Sequence, residues 1–121
     1  LYLLEGHPQM NQYELREGRL DLEFDWRTPR DAPLVFDDAQ TYTGDARPLT
    51  ATRCYEWIHP LSDIVNALIG AGLSIDFLNE HDIVVWKAFA DVVETGDDQF
   101  ELPPGRTRIP MSFSIGATRR P

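Results

Sequence analysis

The feature that most constrains the fold is a helix pattern followed directly by a strand pattern in residues 61–78. Ser62 is the expected N-cap, and Gly72 takes the position after the helix end where a left-handed conformation is typical. Apolar residues recur at helical spacing along one side: Leu61, Ile64, Val65, Leu68 and Ile69. From Leu73 to Phe77 apolar and polar residues alternate, as in a half-buried strand. A helix that enters a strand through one glycine indicates an α/β unit.

Three other segments carry strand patterns. Leu1–Leu4 is a continuous apolar run, typical of a strand buried on both faces. From Arg19 to Trp26 apolar and charged residues alternate strictly, and Ile109–Ala117 alternates apolar with small or polar residues. The turn signal at residues 96–98 predicts a hairpin.

The charge and the cysteine content limit the partners and the compartment. Acidic side chains outnumber basic ones by 20 to 11, giving a formal net charge of -9, which disfavours nucleic acid and anionic membrane surfaces. No apolar run approaches the roughly 20 residues that a membrane-spanning helix needs. The single cysteine, Cys54, excludes a disulfide within the chain, and we expect a small buried apolar role for it. The single cysteine therefore fits a protein of the reducing cytoplasm.

Four segments together resemble one protein family. They are Leu1–Pro8 (LYLLEGHP), Gln40–Asp45 (QTYTGD), Tyr55–Leu78 (YEWIHPLSDIVNALIGAGLSIDFL) and Arg108–Arg119 (RIPMSFSIGATR). In this order they resemble the C-terminal halves of class I S-adenosylmethionine-dependent methyltransferases, most closely small bacterial enzymes of unassigned substrate. The resemblance extends over nearly the whole chain.

The resemblance implies an α/β fold, namely the C-terminal part of a Rossmann-like seven-stranded sheet with an antiparallel last strand. It assigns Leu1–Glu5 to the fifth strand, Asp63–Ala71 to the next helix, Leu73–Asn79 to the sixth strand, and Ile109–Ala117 to a seventh strand between the other two. Residues 1–121 would then be the substrate side of a methyltransferase domain, with S-adenosylmethionine as cofactor. No G-x-G-x-x-G pattern occurs in the chain, so we expect the cofactor-binding half upstream of Leu1 and a fragment inactive alone.

Methyl transfer requires a base when the acceptor must lose a proton, and histidine is suited to that role at neutral pH. His7 follows a predicted strand at the end where open α/β sheets bind ligands. His59 lies just before the predicted helix. Both are therefore candidate catalytic residues, although His7 could equally shape its loop and His59 could satisfy the helix start.

Three aromatic residues are candidates for substrate binding. If residues 55–59 are extended, Tyr55, Trp57 and His59 share one face and could form the wall of an acceptor pocket; the alternative for Trp57 is a core anchor. Tyr42 lies in a stretch that could close over the site, or on a surface turn. The histidines lack the spacing of a metal site, and we expect His81 to lie in a solvated turn.

Two functions from different classes follow. The first is an enzyme that transfers a methyl group from S-adenosylmethionine to a small molecule. The alternative is a non-enzymatic ligand-binding or dimerisation module of mixed α/β fold. If the chain is a fragment of the enzyme, we expect an exposed strand edge, and hence a homodimer or packing against the missing N-terminal half.

Overall fold

A computed structural model describes residues 1–41 and 45–121 of the chain. These residues form ten strands, one α-helix and one short 3-10 helix at Met10–Gln12. In chain order the elements are β1 (Tyr2–Gly6), β2 (Tyr13–Arg16), β3 (Arg19–Leu22), β4 (Leu34–Asp37), β5 (Arg53–Glu56), α1 (Leu61–Gly70), β6 (Leu73–His81), β7 (Ile83–Val84), β8 (Val93–Gly96), β9 (Gln99–Glu101) and β10 (Ser112–Arg119).

The longest strands form one three-stranded sheet in the order β1-β10-β6. β10 is antiparallel to both neighbours, so β1 and β6 run parallel to each other. α1 precedes β6 and contacts it. The predicted placement of the last strand between the first strand and the strand after the helix is therefore confirmed.

The predicted fold class is nevertheless wrong. Outside the β1-β10-β6 sheet, the described residues form three small antiparallel sheets, β2-β3, β4-β5 and β7-β9-β8. The one α-helix has ten residues, so these residues do not form a seven-stranded Rossmann-like sheet covered by helices. The physical reason is local pairing, because most of the additional strands bond to sequence neighbours across short connections and need no helical crossover.

Two long chain segments extend from the same end of the three-stranded sheet. Residues 7–60 follow the carboxyl end of β1, and residues 82–111 follow the carboxyl end of β6. They pack together around buried apolar side chains drawn from both: Met10, Val84, Val92, Leu102 and Met111. A second structural layer therefore stands over the carboxyl ends of the two parallel strands.

Burial follows strand position rather than the length of the apolar run. Leu1–Leu4 was predicted to be buried on both faces, but Tyr2 is 65% exposed and Leu4 is 41% exposed, because β1 is an edge strand. In the middle of the sheet, residues 112–117 are all buried, including Ser112 and Ser114. Central placement therefore buries even the serines of β10.

The local signals were partly correct. Gly72 has a φ of +83°, as predicted for the residue after the helix. Ser62 is not the N-cap, because the helix begins at Leu61 and Pro60 takes the capping position. The alternating segment from Arg19 is shorter than predicted and pairs with β2, which the sequence analysis missed.

Gly116 provides a direct test of the packing across the central sheet. It is opposite both Tyr2 and Phe77, and a Cβ built on it would overlap the ring of Phe77. We expect Gly116→Ala to lower the free energy of unfolding by about 1–3 kcal/mol, because the ring must move. In a Phe77→Ala background the cost should shrink, as measured by urea denaturation in a double-mutant cycle.

Gly70 is the matched control for this experiment. Nothing lies within 4 Å of a Cβ built there, so Gly70→Ala should be neutral or stabilise the helix by up to about 1 kcal/mol. An equal cost of Gly116→Ala with and without the Phe77 ring would contradict the proposed contact.

The ion pair of Asp91 and Arg106 predicts a pH dependence of stability. Arg106 Nη1 donates to Asp91 Oδ1 at 3.2 Å, and Nη2 donates to Oδ2 and to the Gly18 carbonyl. The hydrogen bond from Arg106 lowers the pKa of Asp91 below its ordinary value, against an opposing effect of burial. Because the folded-state pKa is depressed, this stabilisation is present above the unfolded pKa near 3.8 and is lost as pH falls through the folded pKa.

Asp91→Asn should therefore cost about 1 kcal/mol at neutral pH, a value discounted for partial solvent screening. The acid-induced loss of stability below about pH 4 should also become smaller. Asp97→Asn, in an exposed turn, is the control and should leave the curve of unfolding free energy against pH nearly unchanged. Superimposable curves for Asp91→Asn and the parent chain would rule out a stabilising pair.

Candidate functional site

A cleft of about 770 Å³ opens at the carboxyl end of β1. We call it the acidic cleft, because Glu5, Glu56 and Asp98 line it together with Trp86 and no basic side chain does. Among the described residues these three carboxylates have no hydrogen-bond or ion-pair partner. Unpaired carboxylates beside an indole ring attract cationic groups and repel anionic ones.

A second groove, of about 550 Å³, lies at the N-terminal end of α1. We call it the Trp57 groove and define it by Arg27, Thr28, Arg30, Trp57, His59 and Asp63. A cavity of about 220 Å³ lies between the two sites, since it shares Glu56 with the acidic cleft and Trp57 with the groove. The segment that follows β5 therefore contributes to both.

His7 is a buried residue whose two ring nitrogens both have partners. Its Nδ1 accepts a hydrogen bond from the Gln9 backbone N–H at 3.0 Å, and its Nε2 is 2.8 Å from Glu80 Oε1. Because Nδ1 is an acceptor, the proton is on Nε2 and is donated to Glu80. The ring also meets Phe113 edge-on at 6.2 Å. His7 therefore links the end of β1 to β6, and its catalytic role stays a prediction.

The residues around Trp57 are only partly brought together. β5 ends at Glu56, so residues 57–59 are not part of a strand. Trp57 and His59 line the same groove, whereas Tyr55 pairs with Val35 in the β4-β5 hairpin and does not line it. Tyr55 and Trp57, which were both predicted to bind substrate, therefore line different parts of the surface.

Hydrogen bonds hold the walls of the Trp57 groove. The Thr28 N–H donates to the Ile58 carbonyl at 3.0 Å, and the Ile58 N–H donates to Thr28 Oγ1 at 2.9 Å. The indole N–H of Trp57 donates to the Arg30 carbonyl at 3.2 Å. These bonds join a proline-containing loop to the segment that enters α1.

Arg27 and Asp63 form the third connection across the groove. Arg27 donates to the two oxygens of Asp63 at 2.7 and 3.0 Å, and its guanidinium lies 4.5 Å from the centre of the Trp26 ring. The hydrogen bond from Arg27 lowers the pKa of Asp63, with a further contribution from the charge of His59. Sequence reasoning missed both arginines of this groove, since a proline-containing loop has no periodic pattern.

Two other residues differ from expectation. Cys54 is exposed on β5 rather than buried. His81 ends β6 instead of lying in a solvated turn, and its Nε2 is 2.9 Å from the hydroxyl of buried Ser114. Tyr42, predicted to bind substrate, lies outside the described residues.

Within residues 1–41 and 45–121, no group of three or more potential metal-ligating side chains is close enough to hold an ion. In the same ranges, no helix has the length and apolarity needed to span a membrane. Comparison of the chain with protein family models, curated proteins and solved structures gave no match.

The hydrogen bonds of His7 predict which tautomer its ring adopts. In the folded chain at neutral pH we expect the tautomer with hydrogen on Nε2, which long-range ¹H–¹⁵N NMR correlations would identify. His7→Ala should lower the free energy of unfolding by about 1–3 kcal/mol, because the Gln9 N–H and the Glu80 carboxylate lose their partner and packing around the buried ring is lost. The tautomer with hydrogen on Nδ1 would contradict this bonding pattern.

Proposed function

We propose that this chain contributes the acceptor side of an enzyme that transfers a methyl group from S-adenosylmethionine to a small molecule. The carrying observation is the placement of β10 between β1 and β6, antiparallel to both, with α1 leading into β6. These are the relations that the resemblance implies for the same segments. The proposal does not include a seven-stranded sheet within the 121 residues.

The position of the cavities supports the proposal. β1 and β6 are parallel, and ligands of sheets with parallel strands bind beyond the carboxyl ends of those strands. The acidic cleft is lined by Glu5 and Gly6 at the carboxyl end of β1, and a further cavity includes His81 at the carboxyl end of β6. The segment of residues 7–60, which includes the candidate residues His7, Trp57 and His59, extends from this end of the sheet.

His59 is the better placed of the two predicted bases. It is exposed in the Trp57 groove, and its ring has no hydrogen-bond partner among the described residues. In the proposed reaction an acceptor hydroxyl or amine gives its proton to a ring nitrogen of His59 as its oxygen or nitrogen bonds to the methyl carbon. Trp57 provides a flat apolar wall that orients the acceptor.

The acidic cleft is suited to the methyl donor of the proposed reaction. S-Adenosylmethionine, when bound, supplies a methyl group on a positively charged sulfur. Glu5, Glu56 and Trp86 of the acidic cleft complement such a cation. Nothing equivalent to the glycine-rich loop is present in the sequence. Under this proposal the main cofactor contacts lie outside residues 1–121, and the isolated chain is inactive. The protein is proposed to be cytoplasmic.

The direct test uses the full-length protein with methyl-labelled S-adenosylmethionine and a small-molecule extract of the source cell. The expected result is label in a small-molecule product, identified by mass spectrometry. His59→Ala should lower turnover at least about tenfold if His59 removes a proton, with little change in melting temperature because the residue is exposed.

His7→Ala separates the catalytic and structural roles of the other histidine. If His7 is structural, its substitution lowers the melting temperature more than the turnover of the molecules that remain folded. Thr107→Ala, on an exposed loop residue, is the control for nonspecific effects. If the full-length protein neither binds S-adenosylmethionine in calorimetry nor labels any small molecule, the proposal is wrong.

One observation favours the alternative of a dimerisation module. β1 pairs on one side only within the described residues, and the first two side chains, Leu1 and Tyr2, are 61% and 65% exposed. An open apolar edge of this kind readily pairs with another chain. Sedimentation of the isolated chain over a wide concentration range tests this alternative, because a module should form a discrete dimer. A stable monomer would remove the support for this alternative.

A further inference from the structure

The Trp57 groove has an excess of positive charge in a chain of net charge -9. Arg27 is paired with Asp63, so these two charges compensate each other. Arg30 also lines the groove, and its guanidinium has no hydrogen bond or ion pair within the described residues. The ring of His59 also has no hydrogen-bond partner in these residues, so the groove contains donors that a ligand can engage.

The groove is also organised before any ligand arrives. The paired hydrogen bonds of Thr28 and Ile58 and the bond from Trp57 to the Arg30 carbonyl fix the loop against the segment that enters α1. Thr28 is 8% exposed, whereas Trp57 is 40% exposed. The hydrogen bond from the Ile58 N–H to Thr28 Oγ1 is therefore buried, and part of the indole is open as an apolar contact surface. Such preorganisation reduces the entropy lost on binding.

These features select the chemistry of the ligand. A guanidinium without a partner and a partly exposed indole in one groove suit a carboxylate attached to a planar apolar group, since the guanidinium fork accommodates two oxygens and the indole stacks on the ring. Because Arg27 and Asp63 compensate each other, Arg30 balances one negative charge, which favours a carboxylate over a doubly charged group such as phosphate. The neighbouring acidic cleft repels anions and so directs a carboxylate toward Arg30.

We infer that the Trp57 groove binds the carboxylate of an aromatic or similarly planar acid through Arg30 and His59, with Trp57 as the stacking surface. Identifying this acid as the methyl acceptor rests on the proposed function, whereas the binding itself does not. In that reading Glu56 and Trp57, adjacent in sequence, face sites of opposite preference: a cationic donor on one side and an anionic acceptor on the other.

The experiment titrates the ¹⁵N-labelled chain with 2-naphthoate, and in parallel with the neutral analogue 2-naphthalenemethanol. Two-dimensional NMR follows the indole N–H of Trp57 and the amide of His59. We expect shifts at these positions, at least about tenfold weaker binding of the neutral analogue, and weakening by added salt because the groups are exposed. Phenyl phosphate is the third probe and should bind more weakly than the carboxylate.

Arg30→Gln and His59→Gln should each weaken 2-naphthoate binding about three- to tenfold. Arg119→Gln removes the same charge from an exposed position on β10 outside the groove and is the matched control. Amide spectra of each variant verify that the fold is retained.

Equal affinity for the acid and the alcohol, unaltered affinity in both groove variants, or shifts confined to other residues would each overturn the inference. Preference for phenyl phosphate would overturn the choice of a carboxylate. Failure of methyl transfer with retained naphthoate binding would refute only the acceptor assignment and the proposed function. The two proposals therefore fail separately.

Discussion

The burial of β10 is the constraint on which the rest of the structure depends. This strand bonds to β1 on one side and to β6 on the other, and residues 112–117 are all buried. Because it is antiparallel to both neighbours, β1 and β6 must be parallel to each other. Two parallel strands have their carboxyl ends at the same end of the sheet. The segments that follow them therefore start at that end and form a common layer there.

The two sites in this common layer differ in the sign of their charge. The acidic cleft contains Glu5, Glu56 and Asp98, while the Trp57 groove contains Arg27, Arg30 and His59 with a single carboxylate. The two sites meet at the end of β5, where neighbouring residues in the chain line different cavities. An overall acidic chain can thus present a local basic groove, because the hydrogen-bonded loop at residues 27–30 holds its arginines at one place. The net charge alone gives no indication of this separation.

The features that could be predicted from the sequence are those that depend on the spacing of residues near one another in the chain. The apolar stripe from Leu61 to Ile69 and the conformation of Gly72 identified the helix and its end correctly, since both depend on neighbours a few residues away. The order β1-β10-β6 followed from the resemblance. The fold class was wrong because the alternating segments were compatible with either a large sheet or small hairpins, and long-range pairing decides between them. The hairpin turn at Glu17–Gly18, where both residues have positive φ, is visible only through its backbone conformation.

The two predicted bases show most clearly where sequence reasoning ends. His7 and His59 occur in the same dipeptide, histidine followed by proline, and each follows a segment of extended character. In the structure, the ring of His7 is buried and has a partner at each nitrogen, whereas the ring of His59 is exposed with none among the described residues. A group that takes a proton from a substrate needs an available lone pair within reach of it. Because availability depends on partners as distant as Glu80, 73 positions from His7, no local pattern could distinguish the two residues, and the geometry favours His59.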